Sequence, residues 1–235
     1  MTQKPSYSES DTDQEERWDQ DSDTRSEELI PPGRLQLKRP TALDLQPSVI
    51  LYSLFAIVSV LSWSDWTDMS FWVSQQSVLD KNEYWRLVTA LAAHADWAHL
   101  FSNIPLFFIF GWFLKTWFGY WGFPLIPLLT GIITNGLTVL FYPAEVRLLG
   151  ASGMIYGMAA QWIIYYLYYE NRFSISMKLV RSIGFCLVLL FPTSFQPQTS
   201  YLAHGIGFIT GSIFGASSLF FYSDQKTRLN NSSEI

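Results

Sequence analysis

The sequence is poor in charge, and its acidic charge is concentrated at one end. Only 15% of the 235 residues are Asp, Glu, Lys or Arg, whereas 49% are hydrophobic and 17% are aromatic. Soluble domains carry about 25% charged residues, so this composition argues against a soluble domain. Residues 1–30 hold ten acids and three bases, and the other residues hold ten acids and twelve bases. The net charge of −5 therefore describes an acidic tail and not the body of the chain.

Other absences narrow the class of protein further. Cys186 is the single cysteine, so no intrachain disulfide can form. No basic cluster indicates nucleic-acid binding, and the N-terminus lacks the basic start and apolar run of a signal peptide. Residues 1–46 are predicted to be a disordered cytoplasmic tail, because so few apolar residues cannot offset the chain entropy. A docking segment for a partner is the alternative interpretation of this tail.

The sequence does contain several long apolar stretches. A membrane-spanning helix needs about 20 mostly apolar residues. We therefore predict an all-α membrane protein whose residues 47–222 form a bundle of six transmembrane helices, followed by a short cytoplasmic tail at 223–235. The predicted spans are 47–64, 99–118, 122–141, 152–170, 178–195 and 200–222.

The distribution of Lys and Arg predicts how the spans are oriented. With the N-terminus inside, nine basic residues flank the inner ends and three lie in outer loops. Basic residues concentrate in cytoplasmic loops, so both termini are predicted to be cytoplasmic. The first outer connection, residues 65–98, is long and rich in aromatic residues such as Trp66 and Trp85. Because aromatic residues favour the membrane–water interface, we expect this connection to be membrane-associated.

Polar residues recur at one predicted depth. The only histidines are His94, His99 and His204, and ionisable residues within membrane helices are costly enough to indicate function. His99, Ser152 and His204 each lie near the start of a span that runs from outside to inside. About eighteen residues, or about 27 Å of helix, follow each of them, so all three are expected near the outer surface.

Glycine spacing predicts which spans pack together. Gly207, Gly211 and Gly215 repeat every four residues on span six, and His204 shares their face. Span four opens with Ser152 among further glycines, namely Gly150, Gly153 and Gly157. Small residues let membrane helices approach closely. Facing glycine stripes would bring His204 toward Ser152, although the glycines are also explained by packing alone.

These polar residues match the requirements of serine nucleophile chemistry. A serine hydroxyl needs a neighbouring base, for which a neutral histidine is suited. The developing oxyanion needs donors, and His99 and Asn103, four residues apart, share one helix face. Free backbone N–H groups at the start of span four also point at Ser152.

Other hydrolytic mechanisms fit the sequence less well. A zinc intramembrane protease would carry His-Glu-x-x-His, which is absent. The only carboxylate within the even-numbered spans is Glu170, at the inner end of span four and so away from the histidines, where it could not act as base for a zinc site. An aspartyl mechanism needs two intramembrane aspartates, and the predicted spans contain none. An α/β-hydrolase would carry the motif Gly-x-Ser-x-Gly, but here the last position of that motif is Met154 instead of glycine. No metal and no cofactor are therefore predicted.

The motifs resemble those of the rhomboid family over about residues 47–222. The matching features are the nucleophile motif Gly150-Ala151-Ser152-Gly153, the helix motif Ala203-His204-x-x-Gly207-x-x-x-Gly211, the pattern His94-x-x-x-x-His99-x-x-x-Asn103, the aromatic Tyr156 and the pair Trp85-Arg86. The chain departs from the family at Lys115, in the inner part of span two, where bacterial relatives often carry an acidic residue.

The resemblance implies an intramembrane serine endopeptidase with a Ser–His dyad. Ser152 would be the nucleophile and His204 the general base and acid, while His99 and Asn103 would hold the oxyanion. Tyr156 would pack against His204. Substrates would be transmembrane segments with small or helix-destabilising residues near the outer leaflet, and span five, with Pro192 and Pro197 near its end, would be the lateral gate.

Two other functions remain as alternatives. The first is a catalytically inactive rhomboid-like protein that binds membrane clients. The second, a channel or transporter, is weaker because the polar groups cluster at one depth and do not trace a path across the membrane. The expected partners are the lipid bilayer and transmembrane protein substrates, and the resemblance suggests a bacterial inner membrane.

Overall fold

The computed structural model describes residues 40–64, 71–189 and 200–232, all within one compact unit, Leu37–Ile235. Most of the predicted acidic tail lies outside the described residues, as do residues 233–235, Trp66, Pro192 and Pro197. Side chains are described as far as Leu219.

The described chain is mainly α-helical, as predicted. The described residues contain no β-strand, only an isolated antiparallel bridge between Val73 and Leu148. Two π-helical turns, Gln76–Asp80 and Trp121–Leu125, accompany the α-helices. These helices are α1 Ala42–Trp63, α2 Arg86–Ala92, α3 Trp97–Tyr120, α4 Ile126–Val139, α5 Ser152–Tyr169, α6 Ile175–Leu189 and α7 Tyr201–Ser232.

Three stretches of the described chain are long and apolar enough to cross a membrane. They are Ala42–Trp63, Trp97–Val139 and Tyr201–Leu219. The 43-residue middle stretch covers the predicted span 99–118 and all but the last two residues of the predicted span 122–141. α5 has only 18 residues and is rich in tyrosine, and α6 has 15 described residues. The described part of α6 is too short for a full span by the usual length of about 20 residues.

The chain changes direction between α3 and α4 at Gly119 and Phe123. The backbone of Gly119 has φ +62, a left-handed conformation that residues with a Cβ seldom adopt. Phe123 is extended, with φ −155 and ψ 131, and it breaks the helical path. Its ring is fully buried and packs edge-on against Phe107 of α3, with ring centroids 5.6 Å apart. The turn therefore folds back onto the same aromatic core that α3 lines.

The first turn of α3 is fixed by a side-chain cap. Asp96 precedes the helix in an extended conformation, and its carboxylate accepts the His99 N–H at 2.7 Å. Such caps satisfy one of the N–H groups that a helix start leaves unpaired. The cap fixes where α3 begins and hence where His99 and Asn103 lie along it.

α5 and α7 share the most extensive helix–helix contact of the described chain. A methyl group added to Gly207 would lie 2.9 Å from the carbonyl carbon of Gly153, and one added to Gly211 would lie 2.5 Å from the Cα of Gly157. The backbones of the two helices therefore touch at two successive levels. The glycine stripes predicted to bring span four against span six do meet in the structure.

We expect Gly211→Ala to destabilise the protein by about 1–3 kcal/mol, because the added methyl meets backbone atoms that cannot move aside. Gly205→Ala, in the same helix, is the matched control, since its methyl would have no neighbour within 4 Å. Thermal unfolding in detergent measures both variants. Equal midpoints for the two would contradict the close backbone contact.

Candidate active site

The backbone that leads into α5 is held by the connection between α1 and α3, which is the segment predicted above to be the first outer connection. Val73 and Leu148 exchange backbone hydrogen bonds of 2.9 and 2.8 Å, and the Gly150 N–H donates to the Ala90 carbonyl at 2.8 Å. Gly150 has φ +107, which favours glycine. A methyl group there would also lie 2.7 Å from the His99 ring. Ser152, the first residue of α5, thus follows a segment with a defined path.

The His94 side chain also binds the segment that leads into α5. Its side chain is 1% exposed, and its Nε2 accepts the Ala151 N–H at 3.4 Å. The ring proton consequently lies on Nδ1, which is 3.1 Å from the Ser59 Oγ and 3.2 Å from the Ala92 carbonyl. The Trp63 indole N–H donates to the His94 carbonyl at 2.7 Å. His94 therefore links α1 to the residue before Ser152.

The Ser152 hydroxyl and the His204 imidazole lie within hydrogen-bonding distance. Oγ of Ser152 is 2.9 Å from Nε2 of His204, and both residues are half-buried. The Tyr156 ring stacks on the imidazole with centroids 4.0 Å apart and planes 13° apart. On the described part of the chain, His204 Nδ1 is buried without a hydrogen-bond partner. The ring is therefore oriented by stacking and by the backbone of α7.

His99 and Asn103 occupy one face of α3, and the His99 ring reaches the segment before Ser152. The His99 ring lies against Gly150, two residues before Ser152, and its centroid is 5.1 Å from that of His94. The Asn103 amide is buried and donates to the His99 carbonyl at 3.3 Å. An amide nitrogen carries two N–H groups, so one of them is left for another acceptor.

Trp85 and Arg86 lie in the first outer connection and brace it internally. Arg86 pairs with Glu83 at 2.7 Å and donates to the Trp72 carbonyl at 3.2 Å. Its guanidinium lies 5.1 Å from the Trp72 ring centroid and 4.6 Å from that of Trp85. Val73, which follows Trp72 in the chain, forms the backbone bridge to Leu148.

Several residues around the site were missed by sequence reasoning. Ser59 is one of several serines in α1, and its burial beside His94 is visible only in the structure. The hydroxyl oxygens of Tyr142 and Ser200 lie 3.2 Å apart. Tyr142 lies in a connecting segment without periodicity and Ser200 begins the predicted span six, and neither residue matches a motif. Within the described ranges, no group of three His, Cys, Asp or Glu residues could hold a metal ion.

Comparisons with known proteins agree on one family. A family model described as "Rhomboid domain" matches residues 81–220, more than half of the chain. "RHOMBOID-like protein 1" of Arabidopsis thaliana is 28% identical over 142 residues, which are 59% of this chain and 35% of the relative. "Rhomboid protease GluP" of Bacillus subtilis is 27% identical over 157 residues, which are 65% of this chain and 29% of the relative.

A second Bacillus subtilis protein matches over more of its length. "Putative rhomboid protease YdcA" is 27% identical over 172 residues, which are 72% of this chain and 82% of the relative. By contrast, the chain spans less than half of the length of the Arabidopsis relatives.

The stability of the fold should depend on pH through His94. Burial, and secondarily the charge of His99, lowers the pKa of His94 to about 4, against an ordinary value of about 6.5. Between these two values the unfolded chain binds more protons than the folded one, so stability falls as the pH falls. The share of His94 in that loss is at most about 3 kcal/mol.

His94→Asn should therefore flatten the decline of the thermal midpoint between pH 7 and pH 4. Unfolding in detergent at a series of pH values measures the slope for both proteins. His99 and His204 are present in both proteins, so the difference in slope reports His94 together with its electrostatic coupling to His99. A variant with the same slope as the wild type would contradict a buried, neutral His94.

Proposed function

Since the chain belongs to the rhomboid family, we propose that it is an intramembrane serine endopeptidase working through Ser152 and His204. The observation that carries the proposal is the 2.9 Å distance between Ser152 Oγ and His204 Nε2. A nucleophile and its base need a separation of about 2.6–3.2 Å for proton transfer. The residues that meet this requirement are the two that the sequence motifs single out.

In the proposed reaction, Ser152 Oγ attacks the scissile carbonyl while its proton passes to His204 Nε2. The base must start with Nε2 unprotonated, so the imidazole proton lies on Nδ1. His204 then returns the proton to the leaving amine, and an acyl-enzyme ester remains on Ser152. Water, deprotonated by the same Nε2, attacks the ester carbonyl. The bond from the acyl carbon to Ser152 Oγ then breaks, Nε2 returns the proton to Oγ, and the second product leaves as a carboxylic acid.

We propose that the oxyanion is held between the start of α5 and the face of α3 that carries His99 and Asn103. Ser152 is the first residue of α5, and the first N–H groups of a helix have no intrahelical acceptor. We assign the Ser152 N–H, the His99 ring and the second N–H of Asn103 to the oxyanion. The packing of the His99 ring on Gly150 supports this assignment, because preorganised donors stabilise developing charge at no reorganisation cost.

The rhomboid domain and the apolar helices make the chain a membrane protein. We propose that it crosses the bilayer six times, through α1, α3, α4, α5, α6 and α7, with both termini in the cytoplasm. Substrates would then be transmembrane segments cleaved near the outer leaflet, and α6 would be the gate through which they enter. The bacterial inner membrane stays a prediction, because similar proteins occur in plants as well as in Bacillus.

Ser152→Ala should abolish cleavage of a single-span substrate in liposomes, with a loss of about a thousandfold or more. His204→Ala should do the same while the thermal midpoint of each variant stays close to that of the wild type. Retained cleavage in Ser152→Ala would point to another nucleophile. Binding of substrate without cleavage by the wild type would favour the catalytically inactive rhomboid-like protein.

Asn103→Ala should lower kcat by about tenfold to a hundredfold, since one oxyanion donor is lost while others remain. Ser102→Ala is the matched control, because the Ser102 hydroxyl donates to the same His99 carbonyl at 2.8 Å but is exposed. Steady-state cleavage in liposomes measures both. An equal effect of the two variants would remove Asn103 from the oxyanion site.

A further inference from the structure

Tyr142 joins the segment before the nucleophile to the helix that carries the base. It lies in the connection between α4 and α5, ten residues before Ser152. Its hydroxyl oxygen is 3.2 Å from the Oγ of Ser200, the residue directly before α7. Neither residue matches a motif, and the proposed reaction does not use either of them.

Ser200 is the N-cap of α7 and supports the turn that carries His204. Its Oγ accepts the Ala203 N–H at 3.1 Å, which is the usual pairing of a serine cap with the third helical residue. Its carbonyl accepts the His204 N–H at 3.2 Å. Whatever holds Ser200 in place therefore also holds the backbone of His204.

Tyr142 is itself anchored on the structure that defines the path to Ser152. Its ring packs against a small buried cluster made up of Val73, Val78, Ala90, Val139 and Leu148. Two members of this cluster form the backbone bridge before the nucleophile, and the carbonyl of a third accepts the Gly150 N–H. The ring therefore rests on the elements that place Ser152, while the hydroxyl reaches the element that places His204.

The position of α7 matters because His204 lacks an orienting hydrogen bond on Nδ1 within the described chain. In a triad, an acceptor on Nδ1 holds the imidazole. Here stacking on Tyr156 sets the plane of the ring but supplies no directional bond within that plane. The Tyr201 ring lies edge-on to the imidazole, with centroids 6.1 Å apart, but Tyr201 belongs to the same first turn of α7 as His204. The distance from Nε2 to Ser152 Oγ then depends on the backbone of the first turn of α7.

We propose that Tyr142 is a positioning residue that sets the distance between base and nucleophile through the cap of α7. This inference rests on the proposed Ser152–His204 dyad. The hydrogen bond fixes the first turn of α7 relative to the segment before Ser152. Its loss leaves both catalytic groups in place but widens the range of distances between them.

A second hydroxyl pair, between α5 and α7, supplies a matched control. Tyr165 of α5 and Ser218 of α7 have hydroxyl oxygens 2.6 Å apart. Ser218 lies eighteen residues after Ser200, which is about five turns, or about 27 Å, along α7. This pair ties the same helix at a point remote from the dyad, so its loss tests stability without touching the position of His204.

The experiment compares Tyr142→Phe, Tyr165→Phe and Ser152→Ala with the wild type, each as the full chain in liposomes. Two rates are measured: cleavage of a single-span substrate, giving kcat and KM, and covalent labelling by a fluorophosphonate probe, which reports Ser152 reactivity without a substrate. Thermal midpoints are recorded in parallel. Ser200→Ala and the double variant Tyr142→Phe/Ser200→Ala test whether the two hydroxyls act together.

For Tyr142→Phe we expect kcat and the labelling rate to fall together by about threefold to tenfold, the effect of one hydrogen bond, with KM within twofold. The double variant should be no slower than Ser200→Ala. Tyr165→Phe should lower the thermal midpoint and keep kcat within twofold. A purely structural role for Tyr142 would instead lower its midpoint and leave the labelling rate of the folded protein unchanged.

The inference is overturned if Tyr142→Phe keeps the wild-type kcat and labelling rate while Ser152→Ala has neither. It is also overturned if the effects of Tyr142→Phe and Ser200→Ala multiply in the double variant. If Ser152→Ala is labelled and cleaves as the wild type does, the proposed dyad has failed, and the inference fails with it.

Discussion

The arrangement of the site depends on the close approach of α5 and α7. Backbone meets backbone at two levels, Gly153 against Gly207 and Gly157 against Gly211. Without side chains between them, the two helices have little freedom to move apart or to slide. Because Ser152 begins one helix and His204 lies in the first turn of the other, this contact brings together the two residues of the proposed dyad. In a membrane, where lipid is as apolar as the side chains, such close packing is a main source of helix association.

A second constraint comes from the first outer connection. Three successive attachments, at Leu148, Gly150 and Ala151, join it to the segment before Ser152. The last of them uses the His94 ring, which is buried and neutral and cannot become charged without cost. The connection therefore acts as a backbone template for Ser152, while the glycine contact places His204. Tyr142 contacts both parts, and the positioning role proposed for it follows from these contacts.

Much of this could be predicted from residues whose spacing carries a physical meaning. The four-residue repeat of Gly207 and Gly211 predicted the pairing of spans four and six, because small residues at helical spacing allow close approach. The hydrogen-bonded neighbours of His94 could not be predicted, since they are backbone groups brought together by the fold. The role of Tyr142 left no trace either, because one tyrosine in a connection has no period. The described part of α7 reaches Ser232, beyond the predicted end of span six at residue 222, since a helical backbone can continue past the apolar stretch.

Mass spectrometry of the fluorophosphonate-labelled protein tests the central claim most directly. The proposed dyad predicts one adduct, on Ser152, that is absent from His204→Ala although Ser152 is still present there. An adduct on another residue, or an adduct on Ser152 that forms equally fast without His204, would contradict the assignment of nucleophile and base.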